Sequence, residues 1–335
     1  MSTPQAPIGS GFTAFSTAED VIRGADLTGK IAILTGGYSG LGRETVRVLA
    51  KAGARVFVPA RDVARATAAL AGVSGTEILP MDLADPASID AFSEQFLGRG
   101  LELHILVNSA GIMALPELVR DARGHELQFA TNHLGHFLLT RRLWPALVKA
   151  QGARVVSVSS KAHRFSPVVF EDIDFARRPY DPWAGYGQSK TANILFAVEL
   201  DDRGKADGIR GFALHPGGIV ETGLAKHLPE GLLQTMGVQD AQGQSIIDPA
   251  RDLKTVQQGA ATQVWCATSG QLDGLGGVYC ENSDIAWLGH DERKSGSPVG
   301  DTLREVGVLP HAVDRAAAAR LWAVSEQLLG VGQGK

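Results

Sequence analysis

The sequence predicts one α/β domain: a doubly wound, parallel, seven-stranded sheet flanked by helices. Three observations predict it. Short apolar runs alternate with segments of helical periodicity along most of the chain. A glycine-rich turn follows the first apolar run and opens the first long helical segment. Many of the 40 glycines sit just after apolar runs, where such folds place tight strand-to-helix turns.

The elements follow in order. Residues 1–28 form an N-terminal extension, rich in Ser, Thr, Gly and Pro before a short helix at 17–24. The domain itself spans 29–280. Its first strand, 31–34, is an apolar run closed by Thr35, Gly36 and Gly37, and Leu41, Val46, Leu49 and Ala50 recur at helical spacing over 41–52. Strand 55–58 leads to an alanine-rich helix at 62–71, strand 77–81 to a helix at 86–97, and strand 104–107 to a long helix at 124–149. Strand 153–158, helix 184–204 and strand 209–214 continue the alternation. Residues 221–254 break it. They are polar, weakly periodic and too long for an ordinary connection, which predicts a substrate lid. A helix at 255–268 and a short strand at 277–280 complete the domain. Residues 281–335 form a C-terminal extension, loop-like over 281–311 and helical over 312–329.

Composition narrows the class. With 335 residues and 44% hydrophobic content, a sizeable core is within reach. A net charge of −4 without a basic stripe argues against nucleic acid as a partner. Two cysteines, Cys266 and Cys280, allow neither a disulfide framework nor a thiolate metal centre, which suits a reducing cytoplasm. The first 16 residues lack the cationic start and apolar stretch of a secretion signal. No apolar run approaches the ~20 residues of a membrane span.

The glycine turn is the first chemical signal. In Thr35-Gly36-Gly37-Tyr38-Ser39-Gly40-Leu41-Gly42, the glycines let the backbone approach a pyrophosphate, and the following helix offers unpaired N–H groups to it. The common Gly-x-Gly-x-x-Gly fingerprint is not met, because Thr45 stands where its third glycine would be. With a strand before and a helix after, it reads as a Rossmann-type dinucleotide turn, the alternative being a plain strand-to-helix turn. The second strand ends Val58-Pro59-Ala60-Arg61. An NAD site usually carries an acidic residue near this place to hold the ribose hydroxyl. Ala60 removes that carboxylate and Arg61 can pair with a 2′-phosphate, so NADP(H) is expected over NAD(H). Arg61 is alternatively a solvated residue at a helix start. Asp82-Leu83, after the third strand, is placed to meet the adenine or else to start the next helix with Asp85-Pro86.

The second signal is Tyr186 and Lys190, four residues apart on a predicted helix and so on one face. An ammonium beside a phenol favours the phenolate, and an unperturbed tyrosine titrates near ~10. Alone, the pair is also what an ordinary surface contact looks like.

These pieces in this order resemble the short-chain dehydrogenase/reductase family over roughly residues 28–280. Thr35-Gly36-x-x-x-Gly40-x-Gly42 matches its cofactor turn. Asn108-Ser109-Ala110-Gly111 matches its Asn-Asn-Ala-Gly motif with one change, Ser109. Asn132, Ser160, Tyr186 and Lys190 fall at its catalytic positions, and His215-Pro216-Gly217 where it contacts the nicotinamide. Asn132-His133-Leu134-Gly135-His136-Phe137, Ser159-Ser160-Lys161-Ala162-His163 and the terminal Leu321-Trp322 helix look most like the retinol-dehydrogenase-like and WW-domain-oxidoreductase-like branch, without a WW domain. One departure stands out: the threonine usually five residues after the proline is Glu221 here, with Thr222 one later.

The resemblance implies hydride transfer between nicotinamide and a carbonyl or alcohol carbon. Tyr186 is then general acid or base, Lys190 lowers its pKa and holds ribose hydroxyls, and Ser160 hydrogen-bonds the substrate oxygen. Asn132 holds a water linking Lys190 to bulk. The implied cofactor contacts are Gly36, Tyr38, Ser39, Gly40, Leu41, Gly42, Arg61, Asp82, Leu83, Asn108, Ala110, Gly111, Tyr186, Lys190, Pro216, Gly217 and Ile219. Met113, Leu115, Phe165, Leu224, Leu228 and Leu232 suggest an apolar pocket for a lipophilic or aromatic small molecule. His133 and His136 lack a third ligand, so no metal is expected and they read as core or surface residues. His163 and Arg164 lie either at the pocket mouth or on the surface. Many relatives pair through the two long helices, so a homodimer is an expectation unless the terminal extensions cover that face. The alternative class is a cofactor-binding redox sensor without turnover.

Overall fold

The structure is a computed structural model that describes residues 3–219, 221–289 and 307–332. Its strands are β1 (Ile31–Leu34), β2 (Arg55–Ala60), β3 (Thr76–Pro80), β4 (Ile105–Asn108), β5 (Arg154–Val158), β6 (Arg210–His215), β7 (Val278–Glu281) and β8 (Asp284–Ile285). They form one sheet in the order β3-β2-β1-β4-β5-β6-β7-β8, parallel except for β8. The expected seven strands are present, and the eighth is an addition. β8 has two residues and folds back through Asn282 and Ser283, both at positive φ, 53° and 58°. That is the twist of a tight hairpin, but two residues are too few to show a strand pattern in the sequence.

Burial explains the alternation. On β1, Ala32 and Leu34 face one side with Val56, Val107 and Val156, while Ile33 faces the other with Phe57, Leu106 and Val155. Both faces are therefore covered, and the strands read as continuous apolar runs. The helices are α1 (Ala18–Ile22), α2 (Gly40–Lys51), α3 (Val63–Ala69) and α4 (Pro86–Leu97), then α5 (Leu127–Phe129) and α6 (Gly135–Lys149) joined by a π turn at Ala130–Leu134. The single helix expected at 124–149 thus begins at Leu127 and is widened in the middle. α7 (Pro182–Gly204) starts on an Asp181 cap, with the Asp181 carboxylate accepting from Ala184 N. It is buried almost all round, which is why its apolar pattern is weak.

Residues 221–254 hold only short turns and α8 (Leu232–Thr235). The helix expected at 255–268 breaks at Ala260 into α9 (Val256–Gly259) and α10 (Ala261–Thr268). The terminal helix is α11 (Arg315–Leu329), capped by Asp314. The loop expected at 281–311 lies partly outside the described residues.

Both extensions are sewn to the sheet. The Gln5 amide donates to the carbonyls of Tyr279 (2.8 Å) and Ala286 (2.7 Å) and accepts from Tyr279 N, while the Asp284 carboxylate accepts from Ile8, Gly9 and Ser10 N. The N-terminal segment so shields the β7–β8 edge from pairing with another chain. On α11, Trp322 is 1% exposed. It stacks on Phe196 of α7 and meets Phe137 and Trp144 of α6 edge-on. This part of the α6–α7 surface is therefore occupied from within the chain. Among the described residues no helix is long and apolar enough to cross a membrane.

Replacing Trp322 by alanine removes an indole packed on three aromatic rings. The expected cost is roughly 3–5 kcal/mol of stability, read by urea denaturation. A loss under about 1 kcal/mol would show that α11 is not part of the core.

Candidate active site

Strand order reverses between β1 and β4, so a crevice opens at their carboxyl ends, where such sheets bind ligands. The glycine turn lies there. Gly36 has φ +69°, and a Cβ on it would stand 3.0 Å from Ala110 Cα. A Cβ on Gly42 would stand 2.3 Å from Gly36 O. Only glycine permits either approach. Ser39 caps α2 without a side-chain hydrogen bond, which leaves the helix N-terminus to an anion. Tyr38 and Leu41 are partly buried beside it. Leu41 also meets Ile219 across Gly259, where a Cβ would lie 2.7 Å from both side chains. The fit to a dinucleotide is therefore carried by a backbone cradle that any side chain would fill.

Thr35 ties the turn to the next strand. Its Oγ1 accepts from Ser109 N (2.9 Å) and Ala110 N (3.0 Å) and lies 2.8 Å from His136 Nε2. His136 Nδ1 lies 2.9 Å from the Asn132 carbonyl, which can only accept. The ring must therefore carry its proton on Nδ1, and Thr35 donates to Nε2. Burial keeps this histidine neutral, with a pKa down at about 4. In the sequence His136 reads as a core or surface residue; hydrogen bonds at both its nitrogens give it a task that no spacing signals. His133, three residues earlier, instead meets Ser325 of α11 at 2.8 Å. Asn108 donates to Thr140 Oγ1 at 3.3 Å.

Both amide hydrogens of Asn132 are engaged. Oδ1 accepts from Ile112 N, and Nδ2 donates to Ile112 O and Ser189 Oγ, each at 2.9 Å. Both amide hydrogens are therefore spent, while Oδ1 keeps one lone pair, as does the backbone carbonyl, so a water at Asn132 would be held by accepting oxygens. A Cβ on Gly111 would stand 3.1 Å from Asn132 Oδ1 and 3.5 Å from Lys190 Nζ, so these groups share one corner.

Tyr186 and Lys190 sit on α7 and are each 4% exposed. Lys190 Nζ donates to Val158 O at 3.0 Å and lies 5.5 Å from the Tyr186 ring centre. Of the two serines at the end of β5, Ser160 meets the Tyr186 phenol, while Ser159 donates to Lys190 O at 2.7 Å. The expected lowering of the phenol pKa does not occur. Burial pushes the Tyr186 phenol well above its ordinary value, opposed only by Ser160. Burial also brings Lys190 down to about 8. In a low dielectric, both groups are driven toward their neutral forms.

The remaining positions spread around this core. Ala60 is buried at the end of β2, and Arg61 is exposed there with no hydrogen-bond or ion-pair partner among the described residues. Arg43, in the first turn of α2, is a second exposed cation at this end of the sheet, without a side-chain partner among the described residues and signalled by no sequence motif. One Asp82 oxygen accepts from Ala84 N, and Leu83 O packs 2.3 Å from where a Gly135 Cβ would be. Gly217 has φ +101°, following Pro216 at the end of β6. Thr222 reaches Gly40: a Cβ there would be 2.9 Å from Thr222 Cγ2. Its shifted register thus still brings it to the glycine turn. His163 and Arg164 are buried, not at a mouth or surface: His163 contacts Ser160 O and Leu309 N, and Arg164 donates to Gly307 O.

A half-buried Trp183 stands one turn before Tyr186, with ring centres 6.3 Å apart, and meets Phe165 at 5.8 Å. Phe165 is among the pocket residues expected from the sequence; Trp183 is not. Met113 is half-buried and Leu115 is buried, and Leu224, Leu228 and Leu232 are half-buried. A cavity of about 630 Å³ opens within 221–254, bordered by Ala225, Leu228, Pro229 and Leu233 and by none of Ser160, Tyr186 or Lys190.

The model of the short chain dehydrogenase family matches residues 30–232. The chain is 46% identical over 312 residues to a "Probable oxidoreductase" of Streptomyces lividans, covering 92% of this chain and 100% of that one. It is 36% identical over 311 residues to retinol dehydrogenase 12 of Homo sapiens, covering 91% and 88%. A solved protein structure from Mycobacterium paratuberculosis superposes with a TM-score of 0.68 at 31% identity, over 97% of this chain and 99% of that one. The 3-ketoacyl-(acyl-carrier-protein) reductase of Brucella melitensis, solved with NADH, gives 0.58 at 25%, over 76% and 94%. Fold, crevice and glycine cradle agree with these likenesses: the chain belongs to the short-chain dehydrogenase/reductase family of oxidoreductases, on its retinol-dehydrogenase-like side.

Proposed function

We propose that the protein is an NADP(H)-dependent reductase or dehydrogenase of a lipophilic or aromatic carbonyl or alcohol, with Tyr186 as its general acid and base. The observation that carries it is the convergence of Ser160, Tyr186 and Lys190 at the end of β5, beside Gly111 and the glycine cradle. When bound, the nicotinamide supplies or takes the hydride. The chain handles the proton. Ser160 donates to the substrate oxygen and Tyr186 gives its proton to that oxygen as charge grows there. The Lys190 ammonium stabilises the phenolate left behind. Reprotonation passes by Lys190 toward the Asn132 carbonyl. A phenol held protonated by burial suits the reductive direction, where it must act first as an acid.

NADP(H) preference rests on the buried Ala60, where no carboxylate opposes a 2′-phosphate, and on the unpaired Arg61 and Arg43. The substrate class rests on Phe165 and Trp183 beside Tyr186 and on the likeness to a relative named for retinol. The half-buried leucines of 221–254 and the reach of Thr222 to Gly40 support reading that segment as the lid of the same site. Two buried thiols support a cytoplasmic setting.

Turnover on a carbonyl panel with NADPH should lose roughly 10²–10⁴-fold in kcat/KM on Tyr186→Phe while cofactor affinity holds, and near-normal turnover would sink the assignment. Carbonyl reduction should slow as pH rises through about 8. The sign follows from Lys190: protonated below that pH it stabilises the phenolate, and above it the charge is lost. A rate that stays flat from pH 7 to 9.5 would contradict the role. Arg61→Ala should weaken NADPH about tenfold and NADH little, since one charge-assisted contact is lost; a wild-type preference for NADH refutes the cofactor assignment.

A further inference from the structure

We infer that Asp252 is a positioning residue of the reaction: it holds the Ser160 turn and the Pro216–Gly217 loop in one geometry and ties both to the base of the 221–254 segment. The inference rests on the function proposed above. Asp252 is far from Ser160 in sequence and carries no motif. In the fold its carboxylate receives three donors. Lys161 Nζ lies at 2.8 Å and His215 Nε2 at 2.9 Å, both on Oδ2, and Lys254 Nζ lies 3.2 Å from Oδ1.

Each donor leads to the site. Lys161 follows Ser160 directly, and its backbone N–H donates to His215 Nδ1 at 3.2 Å. His215 therefore carries its proton on Nε2 and is neutral, clamped between the Ser160 turn and Asp252. It ends β6 and precedes Pro216 and Gly217. Lys254 runs beneath that loop, so a Cβ on Gly217 would stand 2.7 Å from Lys254 Cδ, and its ammonium reaches Asn282 Oδ1 at 2.6 Å. The backbone closes the same knot: Gly218 N donates to Asp252 O at 2.8 Å and Lys254 N to Gly218 O at 3.0 Å.

The segment is thus nailed at its base and lightly held at its tip. Among hydrophobic residues 221–247, only Val238 is buried. Asp252 also takes a left-handed backbone conformation, φ 64°, which Asp and Asn tolerate better than other non-glycine residues. The carboxylate lies between two buried lysines, and removing it takes away a negative charge that both of them face. A shift of the Ser160 hydroxyl by about 1 Å is enough to cost on the order of 10²-fold in rate.

Asp252→Asn keeps the shape and the backbone preference and removes the charge. Full-length wild type and variant are compared for kcat on the carbonyl panel, for the Kd of ADP-ribose, which lacks the nicotinamide, and for Tm. The expected result is a kcat at least about tenfold lower, well below Tm, with ADP-ribose affinity unchanged within about threefold. A kcat within about threefold of wild type overturns the inference, as does an equal loss of ADP-ribose affinity, which would mark general damage. If that variant does not fold, Lys161→Met is measured in its place, and the same two results uphold or overturn the inference. A wild type inactive on the whole panel overturns the proposed function and this inference together. An active wild type with an equally active variant overturns this inference alone.

Discussion

The Thr35 hydroxyl is the hinge pin of the site. One oxygen accepts two backbone N–H groups from the end of β4 and donates to His136, which donates to Asn132 O. Asn132 then holds Ile112 and Ser189, the residue beside Lys190. A continuous line of buried hydrogen bonds so runs from the phosphate turn through the start of α6 and the π turn to α7. Each member satisfies the next, and removing one strands a buried polar group at a cost of roughly 1–3 kcal/mol. The π turn at Ala130–Leu134 is where this line crosses the helix, and such bulges are frequent at functional sites.

Burial is the second constraint. It makes the site dry enough for electrostatics to act strongly, and it also opposes the charges that catalysis uses. The Tyr186 phenol rises and the Lys190 ammonium falls for the same reason. Sequence spacing alone suggests that the cation dominates. At 5.5 Å from the ring, with Val158 O as its partner, the ammonium does not offset desolvation.

Much of the fold was legible because burial on both sheet faces leaves an unmistakable mark: β1, β4, β5 and β6 are apolar runs within a residue of the expected bounds. The glycine turn was legible because a strand precedes it and a helix follows it, and because Gly42 is demanded within the turn by a 2.3 Å approach to Gly36 O, whereas the 3.0 Å contact that demands Gly36 is with the distant Ala110. The break between α9 and α10 and the two-residue β8 were not, since each depends on what packs against it. The buried Trp322 face answers a question that composition left open, namely what covers part of α6 and α7.

By itself the sequence determined the parallel sheet and the glycine cradle, because those depend on periodicity and on residue types at short spacing, and it offered Tyr186 and Lys190 as a pair on one helix face, while Ser160 entered through the family resemblance. Tertiary structure alone decided that Ser160 and not Ser159 meets the phenol, that both amide hydrogens of Asn132 are engaged, and that Trp183 stands beside Tyr186. It alone brought Asp252 to Lys161 and His215. Hydrogen bonds between residues tens of positions apart carry no periodicity, so only the folded chain, by bringing distant strand ends together, specifies them.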